Sequence, residues 1–308
     1  PQHRAHQSRH RGVTTLRRNT VDLHTHTARS DGVLEPLELY AQMQAWGSTL
    51  VAITDHDTLA GVREMLAAGC GAPGANGPQL IVGVEINTLV DARIEAVGGT
   101  EERLSELHIL GLGVDPADPT LSRTLARQRQ AREARLRQTL ELLRGQGLPV
   151  DDHLPVVEGG IDALGRPHVA RALVAAGHAE DVQDAFDRYL VPGMPAYVRR
   201  QGIGPRDAIE AITDAGGIAS LAHAPWAPDE PAVMDELQRW GLGALEVHYH
   251  HWDDERIEGM GAFADARGLL RTGGSDYHGD TGSYAEAQAD VYVPLTVGQR
   301  LLEALSRG

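Results

Sequence analysis

Lysine is absent from this chain, and all 28 basic residues are arginine. P-loop nucleotide hydrolases, Schiff-base enzymes and pyridoxal-phosphate enzymes each depend on a lysine, so these three classes are excluded. Cysteine is nearly absent. Cys70 stands alone, which forbids a disulfide within the chain and fits a reducing, cytoplasmic setting with the thiol as buried filler. No apolar run approaches the roughly 20 residues that span a bilayer, and no early basic-then-apolar segment reads as a signal peptide. Positive charge is the minority sign, 28 basic against 43 acidic residues for a net −15, which argues against broad tracking along nucleic acid. An anionic substrate therefore needs positive charge concentrated locally, and metal ions supply it.

What is present is ample for a core: 42% of the 308 residues are hydrophobic, enough for one large domain or a domain with an insertion. Residues 1–19 hold arginines and histidines with no periodicity and read as a mobile tail, so His3, His6 and His10 are not expected as ligands. The stretch "VDLHTHTARSDG" alternates apolar and polar residues. A strand here puts His24 and His26 on one face, with Asp31 in the turn that follows. Helix and strand patterns then alternate through "STLVAITDHD", "QLIVGVEIN" and "ELHILGLGV", the βα order of an α/β fold. Residues 116–204 read as a helical insertion, opened by the long "LSRTLARQRQAREARLRQTLELLRGQG". Alternation resumes with "GIASLAH", "ALEVHYH" and "LLRTGGSDYH".

Metal-binding residue types fall at or near the C-terminal ends of the expected strands: His24, His26 and Asp31, Asp55 and His56, Glu85, His108, His223, Asp276 and His278. That edge is where parallel α/β folds build their sites. Any one of these is most simply a buried polar residue; the joint placement is what signals metal. Imidazole and carboxylate without thiolate suit Zn²⁺, Mn²⁺ or Fe²⁺, and the donors outnumber the needs of one tetrahedral ion. A carboxylate can bridge two ions, and such a metal cluster lowers the pKa of bound water and stabilises both oxygens of an in-line phosphoryl displacement.

"DLHTHTARSDG", "AITDHDT", "GVEI", "HILGLG" and "GGSDYHG" resemble, in this order, the motifs of the PHP (polymerase and histidinol phosphatase) family over roughly residues 20–295. The resemblance implies a distorted seven-stranded β/α barrel, here residues 20–115 and 205–308, with the insertion as a lid. It implies three divalent ions: the first on His24, His26, Glu85 and Asp276, the second on Asp31, His56 and His278, the third on Glu85, His108 and His223. Asp31, His56, Glu85 and Asp276 would form the catalytic centre. "GRPHVARAL" and "PGMPAYV" resemble the branch of small nucleotide phosphoesterases, which act on AMP-like and nucleoside 3′,5′-bisphosphate substrates or trim short RNA from its 5′ end. There Arg166 and His168 would reach the phosphate. An Arg fork suits that anion, which favours the phosphate role for Arg166; for His168 that role stands level with capping the next helix while facing solvent.

The family pattern His-Pro after the sixth strand is His223-Ala224-Pro225 here, which loosens the third ligand set. His248, His250 and His251 crowd the next strand end, where one could donate a proton to the leaving oxygen, while Arg93 and Arg103 read as surface charges. The expected activity is hydrolysis of terminal phosphates by a metal-held hydroxide, on small nucleotides or short oligonucleotides, without long duplexes or membranes as partners. Two other readings fit less well. An amidohydrolase also opens on His-x-His, but many bridge their metals with a carboxylated lysine, which this chain lacks; against a non-catalytic module that only binds metal or a partner stands the intact ligand set.

Overall fold

The computed structural model describes residues 18–104, 107–155 and 164–307, so the tail with His3, His6 and His10 lies outside them. Seven strands form one sheet in chain order: β1 (Val21–Asp22), β2 (Leu50–Ile53), β3 (Gln79–Thr88), β4 (Leu107–Leu112), β5 (Ile218–Leu221), β6 (Ala244–Tyr249) and β7 (Leu270–Gly274). Neighbours pair in parallel except β4, which runs antiparallel to both β3 and β5. The segment after β7 returns to the one after β1. Leu23 N–H donates to Gly273 O, His26 N–H to Tyr277 O, and Thr25 bridges Tyr277, so the sheet becomes a nearly closed barrel.

Helices surround the sheet, and those between β1 and β2, β2 and β3, β5 and β6, and β6 and β7 make the crossovers that parallel pairing requires. The helices are α1 (Pro36–Trp46), α2 (Ala60–Ala67), α3 (Ala92–Glu95), α4 (Glu101–Leu104), α5 (Pro119–Gly145), α6 (Arg166–Ala175), α7 (Val182–Ala185), α8 (Pro205–Asp214), α9 (Pro231–Arg239), α10 (Asp254–Ala266), α11 (Tyr284–Asp290) and α12 (Leu295–Leu305). Side-chain alternation divides β2, β3 and β4 between two apolar clusters. On β6, Leu245 and Val247 join the large cluster beneath the helices. On β4, Leu110 and Leu112 join a second cluster with Leu23, Ala52 and Ala222, against Val297 and Leu301 of α12. His108 and Glu85 continue these inward stripes, two residues beyond Leu110 and four beyond Ile81. The site thus sits at one end of the barrel lining.

Between β4 and β5 the chain builds a third apolar cluster, running from Leu136 to Ala196. α5 belongs to two clusters at once: Leu121 and Leu125 pack into the barrel's core, and Leu136, Leu140 and Leu143 into the inserted helices' own. Its 27 residues make a rod about 40 Å long. Where it passes the barrel rim, Gln128 takes the Ile203 N–H and donates to Asn87 O, and Arg129 and Arg132 both bind Asp57.

Candidate metal centre

The expected opening strand is cut short after Asp22, because other groups take over the backbone pairing beyond it. The buried Asp22 carboxylate accepts Ser275 N–H at 2.9 Å and the Ser275 hydroxyl at 2.7 Å. Asp276 N–H then donates to His24 O at 2.9 Å. Gly274 is required at this crossing, since a Cβ there would lie 2.5 Å from the His24 Cβ and backbone N. Asp276 follows with φ +51°, in the left-handed region that costs a non-glycine residue of order 1 kcal/mol. Together these features deliver Asp276 beside both histidines of the first motif.

Four donor atoms converge there. His24 Nε2 lies 3.3 Å from Glu85 Oε2 and 3.2 Å from Asp276 Oδ1; His26 Nε2 lies 3.2 Å from each of the same oxygens. A tetrahedron of donors about ~2.05 Å from an ion has edges of about 3.3 Å. A second set surrounds Asp31, with His278 Nε2 at 3.3 Å, His56 Nε2 at 3.5 Å and His26 Nδ1 at 3.7 Å. A third lies on the other side of Glu85. Its Oε1 is 2.9 Å from His108 Nδ1 and 3.2 Å from His223 Nε2, while Oε2 is 3.1 Å from His56 Nδ1. Glu85 is the hub of the cluster.

The electrostatics match. Burial alone would raise Glu85, Asp31 and Asp276, yet the surrounding imidazoles hold all three well below the usual carboxylate range. Burial drives His56 down to about 4, whereas Asp31 outweighs burial at His278 and lifts it to about 10. His24 Nε2, both His26 nitrogens, Asp31 Oδ1 and Asp276 Oδ1 are buried without a hydrogen bond. Unpaired buried polar atoms are costly, and these five face one another. A cation between them resolves both the charge pattern and the missing bonds, so the donor set fits divalent metal.

Residues 22–147 match the PHP domain family. Over 268 residues the chain is 33% identical to the 3′,5′-nucleoside bisphosphate phosphatase of Chromobacterium violaceum, covering 84% of this chain and 87% of that protein. The chain belongs to the PHP family. This PHP protein is also 32% identical over 266 residues to a 5′-3′ exoribonuclease of Haemophilus influenzae, covering 83% and 89% of the two chains. A solved structure from Bifidobacterium adolescentis, described as a metal-dependent phosphoesterase, shares its fold with a TM-score of 0.71 and 28% identity over 93% of this chain and 96% of its own.

Several expected residues sit differently from their sequence placement. His108 is at the start of β4, not at a strand's C-terminal end; because β4 is reversed, its first residues reach the rim where the parallel strands finish. Asp55 is spent on structure, accepting Thr27 N–H at 2.7 Å and the Ser30 hydroxyl at 2.8 Å. His223 keeps its place despite the inserted Ala224, with φ +27°. The β6 register shift between Glu246 and His248 turns His248 away from the cluster, where burial lowers it to about 4. Tyr249 is brought inward instead, and its hydroxyl donates to Asp276 Oδ2 at 2.8 Å. His168 is turned into the end of α6: its Nδ1 accepts Gly165 N–H at 3.0 Å, with the ring buried instead of solvent-facing. Arg93 and Arg103 are exposed, the first paired with Asp91 and the second with the buried Glu230.

Two residues escaped sequence reading. Tyr249 is hidden by the bulge, which alternation along "ALEVHY" cannot reveal. Glu246, fully buried, lies 3.0 Å from His24 Nδ1 through Oε1 and accepts His223 N–H at 2.7 Å through Oε2. A lone glutamate in an apolar strand was its available signal.

The donor cluster opens on two clefts that share Asp31 and Pro167. One, of about 310 Å³, is lined by His56 and His108 together with Arg132, Arg135, Arg166 and Arg200. The other, of about 590 Å³, is lined by Tyr249, His250, His251, Asp276 and His278, with Asp280, Glu286 and Asp290 farther along.

Proposed function

We propose that this PHP phosphoesterase removes terminal phosphates from small nucleotides, nucleoside 3′,5′-bisphosphates foremost, and accepts short RNA 5′ ends. The observation that carries the reading is the first cleft, of about 310 Å³, whose lining combines four arginines with His56, His108 and Asp31 of the donor cluster. The names of the C. violaceum and H. influenzae relatives point to the same substrates.

We assign His24, His26, Glu85 and Asp276 to one ion, Asp31, His56 and His278 to a second, and Glu85, His108 and His223 to a third. Divalent ions held there would polarise phosphoryl oxygens and lower the pKa of water towards ~7. The chain's own residues do the rest. Arg166, at the first turn of α6, offers a planar fork to phosphate oxygens, and Arg200 adds charge from the same wall. A second phosphate anchored there holds the nucleotide while the first lies at the cluster, which favours bisphosphates over monophosphates. Tyr249 fixes the orientation of Asp276 from the other cleft. Glu85, anionic and central, joins the ligand sets.

The test is a substrate panel of 5′-AMP, 3′,5′-bisphosphates, short 5′-phosphorylated RNA and histidinol phosphate, run with Mn²⁺ and with Zn²⁺. The bisphosphate is expected to give the highest kcat/KM. Preference for histidinol phosphate, or no hydrolysis under any of these conditions, would overturn the reading.

A further inference from the structure

We infer that Glu246 is a positioning residue that sets the affinity of two of the three proposed ions at once, an inference that rests on the reading of the cluster as a metal centre. Glu246 contacts none of the converging donor atoms of Glu85 and Asp276. It lies behind them, on β6, and ties together the ends of two other strands.

Both of its neighbours are donors. His223 offers a backbone N–H, 2.7 Å from Oε2, which can only donate. His24 turns Nε2 towards Glu85 Oε2 and Asp276 Oδ1, at 3.3 and 3.2 Å. As a metal ligand it must keep the Nε2 lone pair free, so its proton sits on Nδ1, 3.0 Å from Glu246 Oε1. A protonated imidazole carries that Nδ1 proton as well. Both carboxylate oxygens of Glu246 are therefore committed as acceptors in either state. An amide of the same shape has one acceptor and must abandon one of the two donors.

The two donors belong to different ligand sets. His24 faces the Oε2 side of Glu85 with His26 and Asp276, whereas His223 faces the Oε1 side with His108. Their rings stack at 5.8 Å between centroids, and His223 holds its left-handed φ of +27° with its N–H anchored to Glu246. The set around Asp31, His56 and His278 has no contact with Glu246. One substitution should therefore weaken two ions and spare the third.

The experiment is a Zn²⁺ competition titration against a chromophoric chelator on metal-stripped wild type, Glu246→Gln and Glu246→Asp, beside thermal melts of the metal-free proteins. The shorter aspartate side chain keeps the charge but cannot span both donors. Glutamine abandons one donor and holds the other through a weaker, uncharged hydrogen bond, so in Glu246→Gln two of the three binding steps are expected to weaken, the larger loss about 10–100-fold. Aspartate reaches one donor only and should weaken one of those same two steps; in both variants the third step stays unchanged and the metal-free protein still melts cooperatively. In Zn²⁺-loaded wild type, proton NMR should also show an exchange-protected imidazole N–H, identified by its loss in His24→Asn and displaced in Glu246→Gln. Unchanged affinities, equal weakening of all three steps, or no protected His24 N–H would overturn the role of Glu246. Wild type that takes up no Zn²⁺ would overturn both this role and the metal reading.

Discussion

Asp276 divides its carboxylate between two tasks. Oδ1 lies among the imidazoles of His24 and His26, and Oδ2 accepts the Tyr249 hydroxyl. Burial and the Asp276 charge both push the Tyr249 phenol upward, so it stays a neutral donor throughout the working pH range. A hydrogen bond to a charged group contributes about 1.5–3 kcal/mol. Tyr249→Phe should therefore keep the fold and lower kcat/KM by about tenfold or more, read by steady-state kinetics beside a thermal melt. The same range applies to Arg166→Ala, which should weaken binding of the second phosphate of a bisphosphate. Its signature is selectivity: activity on 5′-AMP should fall less than activity on the bisphosphate. If the two fall together, or neither falls, Arg166 is only the start of α6.

His168 shows how a single element can carry a pH dependence. It is the third residue of α6, and its unprotonated Nδ1 accepts the Gly165 N–H at the helix start. Burial lowers it to about 4 from an ordinary 6.5, with Arg171 and Arg132 adding to the effect. Below pH 6.5 the unfolded chain takes up a proton that the folded chain refuses, so stability falls as pH drops from 6.5 towards 4. Each pH unit in that window costs up to about 1.4 kcal/mol. Gln is a normal capping-box residue at this position. His168→Gln should keep the cap and gain stability relative to wild type as pH falls, a difference measured by paired melts at pH 7, 6 and 5; parallel curves would contradict it. At this scale the sequence was partly legible. Strand-helix alternation, the long helix ending at Gly145–Gly147 and the donor-bearing strand ends can all be read from local periodicity. The direction of β4 and the bulge after Glu246 cannot, because both are properties of pairing with neighbouring strands. They are why His108 sits at a strand's beginning and why Tyr249, not His248, reaches the site.

For the molecule as a whole, charge and shape act together. A net charge of −15 repels a polyanion along its length, while the arginines of the first cleft act over the ~8 Å that salt leaves unscreened. A mononucleotide feels mainly the cleft; a long duplex feels mainly the surface. Duplex DNA in excess should scarcely slow hydrolysis of a small nucleotide at physiological salt. Strong inhibition would show that the surface charge does not govern access.

The rod-like α5 sets the mechanics of that access. Because one unbroken helix is packed into both the barrel's core and that of the inserted helices, the wall bearing Arg132 and Arg135 is braced along its whole length and has no joint on which to swing. On the opposite side the inserted helices reach the barrel through Arg171 and Asp280, 3.9 Å apart and both exposed, a pairing that holds little. Selection by size at the α5 wall is then made by a fixed gauge, not by a jaw that closes. Amide hydrogen exchange can check this, with protection expected to run without a break through the middle of α5, from Gln128 to Leu136, at a level matching the packed turns around Leu125 and Leu140.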